Sequence, residues 1–180
     1  MPSSVIELEI NGEPREFLAQ PGTTLLSALR DTLGLTAAKR GCGQGTCGTC
    51  TCLLDGEAVM SCLVPVETID GSTVKTLEGV TNPDGSLAPI QEAFLEGFAT
   101  QCGFCTPGMI MAAVDLLAEN PDPTEEEIRE GLEGNLCRCT GYQNIVRAVQ
   151  AASESMRIKA AYEDTAQEPV ASEPREEVQA

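Results

Sequence analysis

Nine cysteines, most of them in short and regular spacings, constrain this chain more than any other feature of its sequence. In a reducing compartment, closely spaced cysteines point to metal binding or redox chemistry more than to disulfide bridges. The first residues do not resemble a secretory signal, and no apolar run is long enough to span a bilayer. We therefore expect a cytoplasmic protein without membrane insertion, whose cysteines serve as metal ligands.

The first cysteine set has the spacing C-x4-C-x2-C, formed by Cys42, Cys47 and Cys50, with Cys62 further along the chain. Plant-type ferredoxins hold a [2Fe-2S] cluster with this spacing. Glycines in the loop let the backbone wrap a small cluster and point N–H groups at its sulfurs. We predict a [2Fe-2S] centre on these four cysteines, with structural zinc as the alternative. Residues 43–48 also match G-x-G-x-x-G, but the helix before them and the interrupting cysteines argue against a dinucleotide site.

The second set consists of Cys102 and Cys105, spaced C-x2-C, and of Cys137 and Cys139, spaced C-x-C. Each pair precedes a predicted helix, whose N-terminal N–H groups and positive dipole end favour an anionic cluster. Alone this spacing is moderately specific for iron, but together with the first set it predicts a second [2Fe-2S] centre. Cys52 is then left over, and we expect it to pack as a small apolar side chain, with substitute ligation the less favoured reading.

Composition narrows the possible functions. The chain has no histidine, which excludes Ser-His-Asp and Cys-His catalysis and histidine-ligated zinc. Its 28 acidic residues against 11 basic ones give a net charge of −17, which argues against a nucleic-acid partner because phosphate contacts need clustered Lys and Arg. We therefore predict no catalytic residues on this chain.

Hydrophobic periodicity and turn residues divide the chain into two structural classes. Alternating apolar residues predict strands at residues 5–10, 15–19, 51–54, 58–63 and 73–77. A leucine repeat predicts one helix among these strands, at residues 24–33. Further helices are predicted at residues 89–98, 107–119, 124–130 and 144–156, with Thr106 as the cap of the second. The pattern therefore predicts an α+β protein in which a mixed sheet grips one helix and a helical half follows.

These elements predict a division into domains. We expect a ferredoxin-like [2Fe-2S] domain at residues 1–80, a linker at 81–86 and a helical [2Fe-2S]-binding domain at 87–158. Residues 159–180 are acidic and poor in large apolar side chains, so we expect a disordered or loosely docked tail.

Three stretches carry a family resemblance: GCGQGTCGTC at residues 41–50, QCGFCTPGM at 101–109 and GNLCRCTGY at 134–142. Together they resemble the small iron–sulfur subunit of the xanthine oxidase family of molybdenum hydroxylases. In appearance the chain is most similar to the small subunit of aerobic carbon monoxide dehydrogenase-like enzymes. The resemblance covers roughly residues 4–158 and implies a β-grasp domain followed by a four-helix bundle domain.

The resemblance also implies partners and a function. A large subunit would carry molybdopterin cytosine dinucleotide and a medium subunit FAD, in a heterotrimer or a dimer of heterotrimers. Electrons would pass from the molybdopterin through the second centre and then the first to FAD. Gln101 and Cys139 would contact the pterin, although the sequence alone equally allows Gln101 a capping or solvent-facing role. A stand-alone two-cluster ferredoxin remains the alternative.

Overall fold

The N-terminal part of the chain forms one mixed five-stranded sheet. The computed structural model describes residues 3–166, with the side chains of residues 3–160. The strands lie in the order β2-β1-β5-β3-β4 and comprise β1 (Ser4–Ile10), β2 (Glu13–Ala19), β3 (Thr51–Leu54), β4 (Glu57–Met60) and β5 (Thr73–Lys75). β1 and β5 are parallel, whereas the other neighbours are antiparallel.

Two tight turns set the register of this sheet. Asn11 and Gly12 join β1 to β2, and Asp55 and Gly56 join β3 to β4, with φ angles between 51° and 97°. Such positive φ angles suit Asn, Asp and Gly and match the right-handed twist of paired strands. Both turns therefore close β-hairpins between strands that the sequence predicted.

The helix that the sheet covers is shorter than predicted. α1 (Leu25–Ser27) begins at Thr24, whose Oγ1 accepts a hydrogen bond from Ser27 N at 3.2 Å. It then widens into a π-helical turn, Ala28–Thr32, closed by Leu33 N donating to Ala28 O at 3.0 Å. Leu25, Leu26 and Leu29 are buried, but the regular helix that the sequence predicted over 24–33 is not formed.

Two strands also end earlier than predicted. β4 ends at Met60, and a 3-10 turn, Ser61–Leu63, replaces its last predicted residues. Ser61 Oγ donates to Cys50 O at 2.7 Å, which holds this turn against the start of β3. β5 ends at Lys75, and another 3-10 turn, Leu77–Gly79, follows.

The C-terminal part is helical, and no strand occurs among residues 87–166. Its helices are α2 (Pro89–Glu96), α3 (Thr106–Glu119), α4 (Glu125–Gly131) and α5 (Gln143–Ala166). Their buried faces form one apolar core, separate from the core under the sheet. The two halves meet where α3 packs against β3.

Helix ends explain the remaining differences. Thr124, where the sequence predicted the start of a helix, caps α4 in a capping box: Thr124 N donates to Glu127 Oε2 at 2.7 Å, and Glu127 N donates to Thr124 Oγ1 at 3.3 Å. Thr106 was wrongly predicted as a cap: it is the first residue of α3, and its hydroxyl pairs with that of Thr100 at 2.7 Å.

The last helix runs past residue 156, where the sequence predicted its end. α5 continues to Ala166, so residues 159–166 of the predicted tail are helical. The rest of that segment lies outside the described residues. Within residues 3–166, no helix has the length and apolar character needed to cross a membrane.

Candidate metal centres

The first cysteine set, Cys42, Cys47, Cys50 and Cys62, is called the first centre below. Its loop turns through glycines with positive φ, among them Gly43 at 68°. This path aims backbone N–H groups at sulfur: Thr46 N lies 3.3 Å from Cys42 Sγ, and Cys42 N lies 3.4 Å from Cys47 Sγ. Hydrogen bonds from the Thr46 side chain and from the backbone lower the pKa of Cys42 to about 6, which favours a thiolate.

The other two cysteines of the first centre are buried. Cys50 stands just before β3, and Cys62 lies in the Ser61–Leu63 turn. Burial raises the pKa of Cys50 to about 11, and the charge of the neighbouring Cys62 acts in the same direction. A buried thiolate is costly unless a positive charge compensates it, as iron would.

The second set, Cys102, Cys105, Cys137 and Cys139, is called the second centre. Cys105 is the residue before α3, and Cys137 and Cys139 precede α5, so both pairs lie at helix N-termini as predicted. Cys102 Sγ and Cys139 Sγ are 3.7 Å apart, and Cys105 and Cys137 are also in side-chain contact. The structure therefore brings together cysteines that are far apart in sequence.

Burial and hydrogen bonds shift the thiol pKa values of the second centre in opposite directions. Burial raises the pKa of Cys105 to about 12. Burial would raise the pKa of Cys137 as well, but hydrogen bonds from Thr140 hold it below its ordinary value. Thr140 donates from Oγ1 at 3.0 Å and from N at 3.4 Å to Cys137 Sγ. The hydrogen bonds of both centres thus converge on sulfur acceptors.

The sulfurs come together in pairs, and this pattern tests which metal they fit. Cys102 Sγ and Cys139 Sγ lie 3.7 Å apart, and Cys42 N donates to Cys47 Sγ, while Cys62 and Cys137 are near enough to act on the thiols of Cys50 and Cys105. In a [2Fe-2S] cluster each iron takes two protein ligands, whereas zinc gathers four around one ion. Paired thiols with N–H donors fit the former.

Cys52 belongs to the sheet core. It lies on β3 with no exposed surface, among the apolar side chains that cover α1. Burial raises the pKa of this thiol to about 12, so it is a protonated, small apolar group. Its surroundings agree with the packing role expected from the sequence.

The two predicted pterin contacts lie at the exposed end of the second centre. Gln101 is exposed and directly precedes Cys102, whose sulfur meets that of the exposed Cys139. Arg138 is exposed between Cys137 and Cys139.

Sequence reasoning missed two residues of the second-centre loop, Tyr142 and Asn135, whose hydrogen bonds hold the loops of the two centres. Tyr142 Oη accepts a hydrogen bond from Cys137 N at 2.8 Å, and Tyr142 has a strained φ of 68°. Asn135 is buried and bonds to the loop of the first centre. The only sequence signal was their position inside the stretch that carries the family resemblance.

Comparisons with known proteins agree with this geometry. Residues 8–77 match the family model of the 2Fe-2S iron-sulfur cluster binding domain, and residues 76–150 match that of the [2Fe-2S] binding domain. The nicotinate dehydrogenase small FeS subunit of Eubacterium barkeri is 50% identical over 149 residues, which cover 83% of this chain and 94% of that protein.

Two further relatives extend the comparison. The xanthine dehydrogenase iron-sulfur-binding subunit of Escherichia coli O157:H7 is 49% identical over 146 residues, covering 80% of this chain and 91% of that protein. Among solved structures, quinoline 2-oxidoreductase from Pseudomonas putida 86 contains a similar chain, with a TM-score of 0.83 and 44% identity, covering 87% of this chain and 97% of that one.

Proposed function

This chain belongs to the small iron–sulfur subunits of the xanthine oxidase family, and from that membership we propose how its residues relay electrons inside a molybdenum hydroxylase. The chain is the electron-transfer subunit of an oxidoreductase complex and does not itself transform the substrate. When bound, each [2Fe-2S] cluster accepts and releases one electron. The protein's part is to hold the clusters and tune their potentials.

We propose that Cys42, Cys47, Cys50 and Cys62 hold one cluster and that Cys102, Cys105, Cys137 and Cys139 hold the other. The observation that carries this proposal is the contact between Cys102 Sγ and Cys139 Sγ, together with the backbone N–H groups aimed at the sulfurs of Cys42, Cys47 and Cys137. N–H donors aimed at ligand sulfurs stabilise the reduced state, because it carries the additional negative charge. Exposure at Cys42 and Cys139 leaves one end of each centre open towards a partner.

We further propose the finer architecture that family membership implies. The sheet around α1 is a β-grasp fold, and α2 to α5 form a four-helix bundle; the mixed strand order and the shared helical core support this. A large subunit with molybdopterin cytosine dinucleotide faces Gln101 and Cys139, and a medium subunit with FAD receives electrons from the first centre. The complex is a heterotrimer or a dimer of heterotrimers. The substrate is selected on another chain.

Native purification followed by metal and cofactor analysis tests the proposal. We expect four irons per small chain, two distinct [2Fe-2S] signals in electron paramagnetic resonance (EPR) of the reduced protein, and co-purifying molybdenum and flavin chains. Zinc in a colourless protein would overturn the iron assignment. Two iron–sulfur signals without the other chains would instead identify a free ferredoxin.

Serine variants test the ligand sets. Cys47→Ser is expected to lose iron from the first centre only, and Cys137→Ser from the second only. Cys52→Ser is the matched control, because it changes a cysteine on β3, close in sequence to Cys50, that packs in the apolar core. Loss of iron from the control to the same extent would contradict the assignment.

A further inference from the structure

The loops of the two centres touch through their backbones. Leu136 N donates to Cys47 O at 2.9 Å. Leu136 is bonded to Cys137, so a single hydrogen bond joins the main chain of a first-centre cysteine to the residue before a second-centre cysteine. We call this contact, with Gly48, Gly108 and Asn135 around it, the interloop joint.

The side chain of Asn135 forms hydrogen bonds across the interloop joint. Its side chain is only 5% exposed, and Nδ2 donates to Gly48 O at 3.0 Å and to Thr51 Oγ1 at 3.4 Å. Both acceptors flank the first-centre loop, whereas Asn135 itself belongs to the second-centre loop. A buried amide that lost these partners would incur the full cost of its desolvation, so the pairing ties the two loops together.

Glycines make the approach at the interloop joint possible. A Cβ at Gly108, on α3, would lie 2.2 Å from Gly48 O, and a Cβ at Gly48 would lie 2.4 Å from Gly134 O. Neither neighbour is a flexible side chain; both are backbone oxygens. The three segments therefore pack closer than any residue with a side chain would allow.

We propose that Asn135 is a positioning residue for electron transfer between the two centres, because it holds the Cys47–Leu136 hydrogen bond in place. The inference rests on the proposed function and names the part of the chain that couples the clusters. With both clusters bound, the reduced second centre would give one electron to the oxidised first centre. No covalent bond forms or breaks, and no proton crosses the Cys47–Leu136 hydrogen bond. Coupling through this short bonded route depends on keeping the joint closed.

Asn135→Asp in the whole complex is the direct test. The side chain keeps its size but loses both N–H donors, and its oxygens then face Gly48 O and Thr51 Oγ1. The matched control is Asn82→Asp: Asn82 Nδ2 likewise donates to one hydroxyl, that of Ser86, and to one carbonyl, that of Leu87, but within its own loop. Iron content, the magnetic splitting between the two reduced clusters in EPR, both midpoint potentials and the rate of intercluster electron transfer after photoreduction are measured.

The expected result is a smaller splitting and a severalfold slower transfer in Asn135→Asp at full iron content, with Asn82→Asp unchanged. A merely structural role would leave the splitting of fully loaded protein as it is in the wild type, and that outcome would overturn the inference. If Asn135→Asp does not load iron, Thr51→Val is the second test. This substitution keeps the size of the side chain, adds no charge and removes the hydroxyl that bonds to both Asn135 and Gly48 O. Unchanged splitting in Thr51→Val would then overturn the inference. Absence of two [2Fe-2S] signals in the wild type would instead overturn the proposed function.

Discussion

Replacing Gly108, a residue of α3, by alanine has two opposing effects on the stability of the protein. Gly108 has an ordinary helical backbone, so alanine is favoured by helix propensity by about 0.8–1.0 kcal/mol. The added Cβ, however, would lie 2.2 Å from Gly48 O, whereas real Cβ contacts essentially never fall below 3.0 Å. α3 and the first-centre loop must therefore separate by at least the difference, because a backbone oxygen has no rotamer to change.

We expect the steric cost to exceed the gain in helix propensity. Overpacking a well-packed contact costs about 1–3 kcal/mol. The separation also stretches the hydrogen bonds that reach Gly48 O and Cys47 O, and each such bond contributes about 1 kcal/mol. After the gain in propensity, a net loss of about 1–3 kcal/mol remains. For a chain of this size that loss lowers the thermal midpoint by about 2–12 °C.

Thermal unfolding followed by the visible absorption of the clusters measures this loss. Variants are compared at one scan rate, because cluster loss makes unfolding irreversible. Gly131→Ala is the matched control: its Cβ would meet only the side chain of Leu116, at 3.0 Å, which can rotate away. We expect no lower midpoint for the control. A midpoint for Gly108→Ala equal to that of the control would refute the reasoning about the interloop joint.

Four further predictions concern individual side chains. Cys52→Ala retains the full iron content but lowers the thermal midpoint, since a buried sulfur leaves the sheet core. Tyr142→Phe removes the acceptor of the Cys137 N–H group and lowers stability by about 1 kcal/mol, measured by the same thermal scans; an unchanged midpoint contradicts it. Thr124→Ala removes the N-cap of α4 and lowers the free energy of unfolding by about 1 kcal/mol. Hydrogen bonds from Thr124 lower the pKa of Glu127, so its carboxylate stabilises the fold above its ordinary pKa of 4.5 and ceases to do so as pH falls through the lower folded value. The wild type should therefore be more stable than Glu127→Gln above pH 4.5, and this difference, measured by hydrogen exchange of α4, should disappear as the pH falls through the lower folded pKa.

Local signals explain why much of the fold was predictable. Asn11-Gly12 and Asp55-Gly56 specify hairpins through their tolerance of positive φ, and the Thr124 capping box marks a helix start through two reciprocal hydrogen bonds. The same local reasoning failed at Thr106, because a neighbouring loop offered its hydroxyl another partner. It also failed in α1, where the turn beginning at Ala28 widens to five residues while the leucines around it stay buried.

The sequence alone determined which residue types are available for chemistry: cysteines in two characteristic spacings, glycines between them and no histidine. These are properties of short segments, because ligand spacing and backbone freedom act over a few residues. Only the tertiary structure decided which cysteine meets which and how the two centres join. The contact between Cys102 and Cys139, and those of Asn135 with Gly48 and Thr51, link residues far apart in the chain. Such contacts depend on how α3 packs against β3, and no local pattern in the sequence encodes that packing.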